Sequence, residues 1–334
     1  MLVFEIALQI RFWGPIVVFS IGAPAACLNA LLFVAIKSFR RSPSAYYIVG
    51  QSFADVTILL IVLLQIVPAT SVSASSIACK LIIFSLQMTI SVAMSFLCLS
   101  AFDRWACTSQ TAGIRQLSST YVARFLFPIP FIICSLVNIP FLVYCDLIPP
   151  INFCWFTNDL FMRIGTLVLF PILTVFLPLI VLIMFGLLTC RNIRFVTRIR
   201  RQANQTRLST WEHQMTRMML IQTLLCIFCS FPRAIFVIYA VATIDQSADR
   251  SSDQLSILDF VDYLSQSVLC INFASSFYIF LLSSPRFRQT VQVYLKHQFR
   301  LGPNHLETMN MGTRGQTLAG RQMAREITQR TVQS

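Results

Sequence analysis

The sequence predicts an all-α membrane protein, a seven-transmembrane helix bundle followed by a short amphipathic eighth helix. Three observations carry that expectation. Hydrophobic residues make up 56% of the 334 residues and charged residues only 12%, with a mean hydropathy of +0.70, so too little polar surface exists to coat a soluble globule. Apolar runs long enough to cross a hydrocarbon core about 30 Å thick recur all along the chain. Lipid leaves only helices and closed barrels able to satisfy their own backbone, and runs of this length are helical.

The runs fall at about 13–36, 46–70, 79–102, 121–144, 165–189, 214–242 and 260–283, which makes 13–283 one transmembrane domain. The segment 1–12 ahead of it lacks a basic n-region and a small-residue cleavage site, so the first helix is expected to act as a signal anchor behind a short extracellular N-terminus. Pro128, Pro140, Pro171, Pro178 and Pro232 lie inside runs, where neighbouring helices supply the missing partners. Connections are short except at about 145–164, 190–213 and 243–259. In 284–300, Phe287, Val291 and Tyr294 recur at i, i+4 and i+7 among Arg286, Arg288 and Lys296, the pattern of a helix resting on the membrane surface. Residues 301–334 are polar and threonine-rich and are expected to form a disordered cytoplasmic tail.

Basic residues set the orientation. With the N-terminus outside, the inner segments hold Lys37, Arg40 and Arg41, then Arg104, Arg115 and Arg124, the arginines from Arg191 to Arg217, and those of the tail. The reversed topology would put most of the 26 Lys and Arg residues on the wrong side. The net charge of +13 is therefore a topology signal next to a lipid bilayer, and no nucleic-acid partner is expected. The sequon Asn204-Gln205-Thr206 falls in an inner loop, where it would go unused.

Of 11 cysteines, Cys27, Cys98, Cys134, Cys226, Cys229 and Cys270 lie within runs and behave as small apolar residues. Cys79, Cys145 and Cys154 face outward. The three histidines (His213, His297, His305) are all on the inner side, so neither a metal site nor an enzyme of the metal or Cys-His type is expected. From Cys79 to Asp103 the third run covers 25 residues inclusive, roughly 37 Å of helix, so one helix carries a cysteine at one membrane face and Asp103-Arg104-Trp105 at the other. A half-cystine is useful only on the oxidising side, which places the Asp-Arg end in the cytosol.

Over roughly 13–297 these residues resemble the rhodopsin-like (class A) G-protein-coupled receptors. Cys79 with Asp103-Arg104-Trp105 is similar to the family's third-helix cysteine and Asp-Arg-Tyr motif, with Trp for Tyr. Asn29 in Leu28-Asn29-Ala30 and Asp55 in Ser52-Phe53-Ala54-Asp55 are similar to its first- and second-helix polar residues, and Pro178 and Pro232 take its fifth- and sixth-helix proline positions. Other positions depart. Cys229-Ser230-Phe231-Pro232 lacks the usual tryptophan, Ser276-Phe277-Tyr278-Ile279-Phe280 stands where Asn-Pro-x-x-Tyr would be, and Gly186 replaces a frequent tyrosine. The seventh run has no lysine for a retinal Schiff base, and Leu86 stands where amine receptors carry an aspartate. The overall look is that of orphan or peptide-type invertebrate receptors.

The resemblance implies roles. Asp103 and Arg104, with Glu212 opposite, would form an inactive-state lock over a heterotrimeric G-protein site; the plainer alternative is an arginine that only anchors its helix. Asn29, Asp55 and Asn272 would form a polar core holding a sodium ion, although Ala93 removes one usual ligand; the alternative is a protonated structural carboxyl. Cys79 would bond Cys154 in the second outer loop, with Cys145, beside the fourth-helix end, as the rival. Pro178, Pro232, Ser276 and Phe280 mark the helix switch. From its composition alone, the tail is expected to accept phosphate on its threonines and so recruit an arrestin.

Arg233 is a cation about one turn below the outer surface and needs a reason to be there. Either it meets an acceptor on the ligand, which the resemblance implies is a neuropeptide, near Leu86, Gln87, Tyr239, Tyr263 and Gln266, or it pairs internally with Asp259 or Asp262. Asp245, Asp249, Asp253, Asp259 and Asp262 face only Arg250 and would steer a basic peptide, or form a solvated loop. Two rival readings stand beside the receptor: a transporter or channel, for which only Asp55 and Arg233 lie well inside the membrane, and a degenerate receptor that folds without signalling.

Overall fold

The computed structural model describes residues 2–40, 42–64, 75–148, 153–169, 171–203, 210–243 and 252–300. Among them, seven helical spans are long and apolar enough to cross a membrane: Glu5–Ala35, Pro43–Leu64, Ser76–Thr108, Thr120–Tyr144, Ile172–Phe195, Gln214–Ala240 and Gln254–Ser283. The rim residues Asp245, Asp249 and Arg250, the sequon Asn204-Gln205-Thr206, the tail threonines and the side chains of Glu212 and Asp253 lie outside the described residues.

Helix α1 (Leu2–Ala35) starts well before the apolar run at 13–36, because Ile6, Ala7, Leu8 and Ile10 continue the pattern and Glu5 occupies the first turn, where a carboxylate suits the positive end of the helix. After the turn α2 (Lys37–Arg40), α3 (Pro43–Leu64) begins on Pro43, whose missing N–H would have had no helical partner there. Helix α4 (Ser76–Thr108) is unbroken over 33 residues, so Cys79 and Arg104 share one rigid rod. Two short helices follow, α5 (Ala112–Leu117) and α6 (Thr120–Leu126), the latter capped by Ser119 Oγ accepting from the Val122 N–H at 3.3 Å. The chain bends at Phe127-Pro128 and resumes as α7 (Ile129–Tyr144).

The long outer connection is not a plain loop. β1 (Cys145–Ile148) and β2 (Phe153–Phe156) pair antiparallel, with Leu147 opposite Cys154. Branched and aromatic residues in both segments favour that pairing. Helix α8 (Asp159–Ile164) is capped by Asn158 and runs into π-helical turns at Gly165–Leu169 and Ile172–Phe176, which lead into α9 (Leu177–Ala203). Pro178 cannot donate to the carbonyl four residues back, and its ring crowds that carbonyl, so the preceding turn widens. Helices α10 (Thr210–Ala242) and α11 (Ser252–Ser283) complete this unit. Taken by itself, α12 (Pro285–Arg300) sets Phe287, Val291 and Tyr294 along one stripe, with Arg288 and Lys296 off it.

Helix α4 is central and packs against α3, α7, α9 and α10; α1 packs on α3 and α11, and α10 on α11. Ile58, Val92, Phe96, Leu97 and Phe273 form the buried centre. Lipid supplies no hydrophobic drive between helices, so close contact at small residues holds them together. Gly22 is such a place: a Cβ there would stand 2.6 Å from Ala274 Cβ and 3.0 Å from Ala274 Cα, which is backbone and cannot swing away. Gly22→Ala is therefore expected to destabilise the bundle by about 1–3 kcal/mol through overpacking, whereas Gly113→Ala, with nothing within 4 Å, leaves it unchanged. Thermal unfolding of both variants in detergent checks this, and equal unfolding temperatures would contradict it.

Candidate functional site

At one end of α4 the side chains converge on a buried ion pair. Asp103 is 2% exposed and Arg104 3%. The Asp103 carboxylate accepts from Ser44 Oγ at the start of α3, from Ser118 Oγ at 2.6 Å and from Arg104 Nη2, which also donates to Ser44 Oγ. A buried ion pair is sound only when its spare hydrogen-bonding positions are filled, and two hydroxyls do that for the carboxylate. The spacing of motifs along the chain held no sign of Ser44 or Ser118. The one usable hint was a serine just inside a Pro-initiated helix.

Trp105 does not extend this polar cluster. Its ring centroid lies 5.6 Å from Phe102 and 5.4 Å from Phe185, and Phe102 lies 5.4 Å from Phe185, so three rings seal the α4–α9 seam. Ser100 Oγ donates to Met219 Sδ at 3.0 Å, tying α4 to α10 nearby. Glu212 lies on α10, but its side chain is outside the described residues.

Midway along the bundle, Asp55 is fully buried; no donor among the described residues meets its carboxylate at full hydrogen-bond geometry, and Gln51, one turn before it, is a side chain that approaches it. No hydrogen bond joins it to Asn29 or Asn272. Asn29 Nδ2 donates instead to Ser52 Oγ at 3.0 Å, because Ser52 lies nearly one turn before Asp55 on the same helix. Asn29 Oδ1 and both side-chain polar atoms of Asn272 are likewise buried without partners. Ser276 is the meeting point of this layer: its hydroxyl accepts from Gln222 Nε2 at 3.0 Å and from Gln51 Nε2 at 3.4 Å, joining α10 and α3 to α11. Phe280 is fully buried, its ring 5.9 Å from that of Phe33. Pro178 accepts at its carbonyl from Cys98 Sγ at 3.8 Å, while Pro232 is exposed inside an unbroken α10.

At the other end of α4, Cys79 is disulfide-bonded to Cys154, with Cα atoms 5.7 Å apart. Cys145 is a free cysteine, buried against Phe141 and Phe161. Burial pushes its thiol up to about 11, so it stays protonated at neutral pH. Lys80 Nζ lies 3.2 Å from Asp146, whose carboxyl is held below its usual range by hydrogen bonds from Ser76 and the Leu147 N–H and by Lys80.

Beneath this end, Arg233 Nη1 donates to Asp262 Oδ1 and to Ser265 Oγ, the latter at 3.2 Å, with the guanidinium 5.3 Å from the Phe236 ring centroid. Of the two acids open as internal partners, the structure brings in Asp262, while Asp259 is exposed. Tyr263 lies under the Arg11 guanidinium at 5.4 Å. Leu86, Gln87 and Gln266 are half-buried. Tyr239 is 51% exposed; six residues turn it roughly 120° around the helix from Arg233, away from this cluster.

One rigid helix thus holds a covalently tethered surface at one end and a buried, hydroxyl-satisfied ion pair at the other. A family model described as 7 transmembrane receptor (rhodopsin family) matches residues 28–285, more than half of the chain. No curated protein matches it.

Proposed function

Because the chain belongs to the rhodopsin family of seven-transmembrane receptors, and so is a multi-pass membrane receptor of a family that does not comprise enzymes, we propose that it couples an extracellular ligand to a heterotrimeric G protein. The observation that carries the proposal is the Asp103–Arg104 pair, buried at the far end of the helix that bears the disulfide. In this reading the N-terminus lies outside, as the basic residues favour. A ligand acts only through its different affinities for two helix packings, and the second packing would release Arg104 toward the G protein. Nucleotide exchange on purified G protein, measured with a peptide library as ligand source, tests it. Exchange that no ligand stimulates would leave a folded but silent receptor.

The ligand end is proposed to accept an anionic group. Arg233 is held by Asp262, an acid whose side chain is 39% exposed and so is open to displacement. A ligand carboxylate, such as a peptide C-terminus, would take the place of Asp262 on the guanidinium fork. Arg233→Ala is expected to lower agonist potency roughly tenfold or more, about 1.4 kcal/mol, at unchanged surface level. Unchanged potency would remove Arg233 from the ligand site.

Sodium is proposed at the mid-bundle layer. A buried carboxylate and two amides whose oxygens have no partner at full hydrogen-bond geometry among the described residues form a donor set that suits a hard cation, and Gln51 would share the carboxylate with it. Asp55 would hold it, with Asn29 and Asn272 contributing amide oxygens. The ion would neutralise the buried carboxylate. Agonist affinity that stays the same when an organic cation replaces sodium would count against it.

A further inference from the structure

Sulfur collects where α4 passes α10. Met94 and Cys98 are four residues apart and share a face of α4, and Cys226 comes in from α10. Cys226 is 1% exposed and Met94 2%. The Cys226 thiol directs its proton at Met94 Sδ, 4.0 Å away. Cys98 is half-buried, and its thiol stands within electrostatic reach of that of Cys226. The other sulfur contact on this seam, Ser100 Oγ to Met219 Sδ at 3.0 Å, lies about two turns of α10 away from Cys226. Among the described residues no three His, Cys, Asp or Glu side chains gather as a zinc or iron centre would need. A thiol facing a thioether in a buried seam suits another kind of ion.

Soft thiolate and thioether ligands select copper(I), whereas magnesium and calcium take oxygen. Copper(I) carries one charge and accepts two or three ligands, so bonding a single thiolate leaves a neutral centre that a buried site tolerates. Zinc would want four ligands and would keep a net charge. Metal–sulfur bonds of about 2.3 Å at trigonal angles hold two sulfurs about 4.0 Å apart, which is the separation already found between Cys226 and Met94. We infer that Met94 and Cys226, with Cys98 as the third sulfur in reach, form a copper(I) site inside the bundle. The ion takes the place of the thiol proton. The Cys226 S–H bond breaks, an S–Cu bond forms and the proton passes to solvent; no electron moves, because the metal arrives as copper(I). Half-buried Cys98 stands on the way in, its Sγ 3.8 Å from the Pro178 carbonyl. A metal bond across the α4–α10 seam stabilises the helix packing in which these sulfurs meet. That consequence for signalling rests on the proposed receptor function, whereas binding of the ion does not.

The test uses the full chain in nanodiscs under anaerobic ascorbate, with copper(I) supplied in competition with a bathocuproine chelator. The wild type is expected to keep about one copper(I) per chain, with sulfur neighbours near 2.3 Å by X-ray absorption. C226S should weaken retention roughly 100-fold and M94L roughly tenfold. M219L removes a thioether elsewhere on the same seam and should leave retention unchanged. Bound copper should also raise the unfolding temperature of the wild type and of M219L, and leave that of C226S where it was. Should C226S fail to fold, M94L decides, because it keeps side-chain volume and apolarity. Equal retention by the wild type and M94L would assign the metal to other cysteines and overturn the site. So would a first shell of nitrogen or oxygen. Copper that binds and raises the unfolding temperature without altering nucleotide exchange supports the site and removes only its link to signalling.

Discussion

Arg104→Ala is expected to abolish agonist-stimulated nucleotide exchange and to lower stability at the same time. The two losses share one cause. Both members of the pair are almost wholly buried, so removing the guanidinium leaves the Asp103 carboxylate desolvated with, among the described residues, Ser44 and Ser118 as donors. Breaking a buried pair from one side costs about 3–5 kcal/mol in general, and the two hydroxyls offset part of that here. Asp103→Asn separates signalling from folding. It keeps the shape and an acceptor but removes the charge holding Arg104 inside the bundle, so basal exchange should rise. Exchange assays at matched receptor concentration, alongside thermal unfolding, check both. An Arg104→Ala variant with wild-type exchange would exclude the pair from coupling.

Cys154→Ser is expected to cost the next largest amount. The disulfide closes a loop of sequence separation 75, which in the chain-entropy view contributes about 4 kcal/mol and in practice about 2–5 kcal/mol. It also fixes the hairpin above α4, so ligand affinity should fall further than stability alone requires. Cys145→Ser serves as the contrast: its buried, protonated thiol has no part in the bond, and the Cys79–Cys154 linkage should survive in non-reduced peptide maps. Equal unfolding temperatures for Cys154→Ser and the wild type would contradict the expectation.

Spans were legible in the sequence because length and apolarity decide them, and lipid admits few alternatives. Ends were not. Helix α1 begins at Leu2 because Ile6, Ala7, Leu8 and Ile10 read as helix as readily as loop, and no cap residue marks the start. The β1–β2 hairpin escaped notice because four-residue strands carry too short a pattern. At the ion pair, the motif was readable in one stretch of sequence, but the hydroxyls that make it tolerable come from elsewhere. Ser44 lies 59 residues from Asp103, and only tertiary packing brings it close. The choice between Asp259 and Asp262 for Arg233 was open for a simpler reason. Three residues apart on a helix, the two acids share a face, and which one is nearer depends on axial register between α10 and α11.

Ser276 has a consequence for how readily the molecule changes state. Its single oxygen is where an amide from α3 and an amide from α10 both dock, and each neutral contact of that kind is worth only about 0.5–1.5 kcal/mol net. A latch built from such modest pieces can be undone one donor at a time, with water or a rotated amide filling the gap. At Ser276 the seventh span, α11, is thus held to α3 and α10 by polar contacts small enough to be exchanged one at a time.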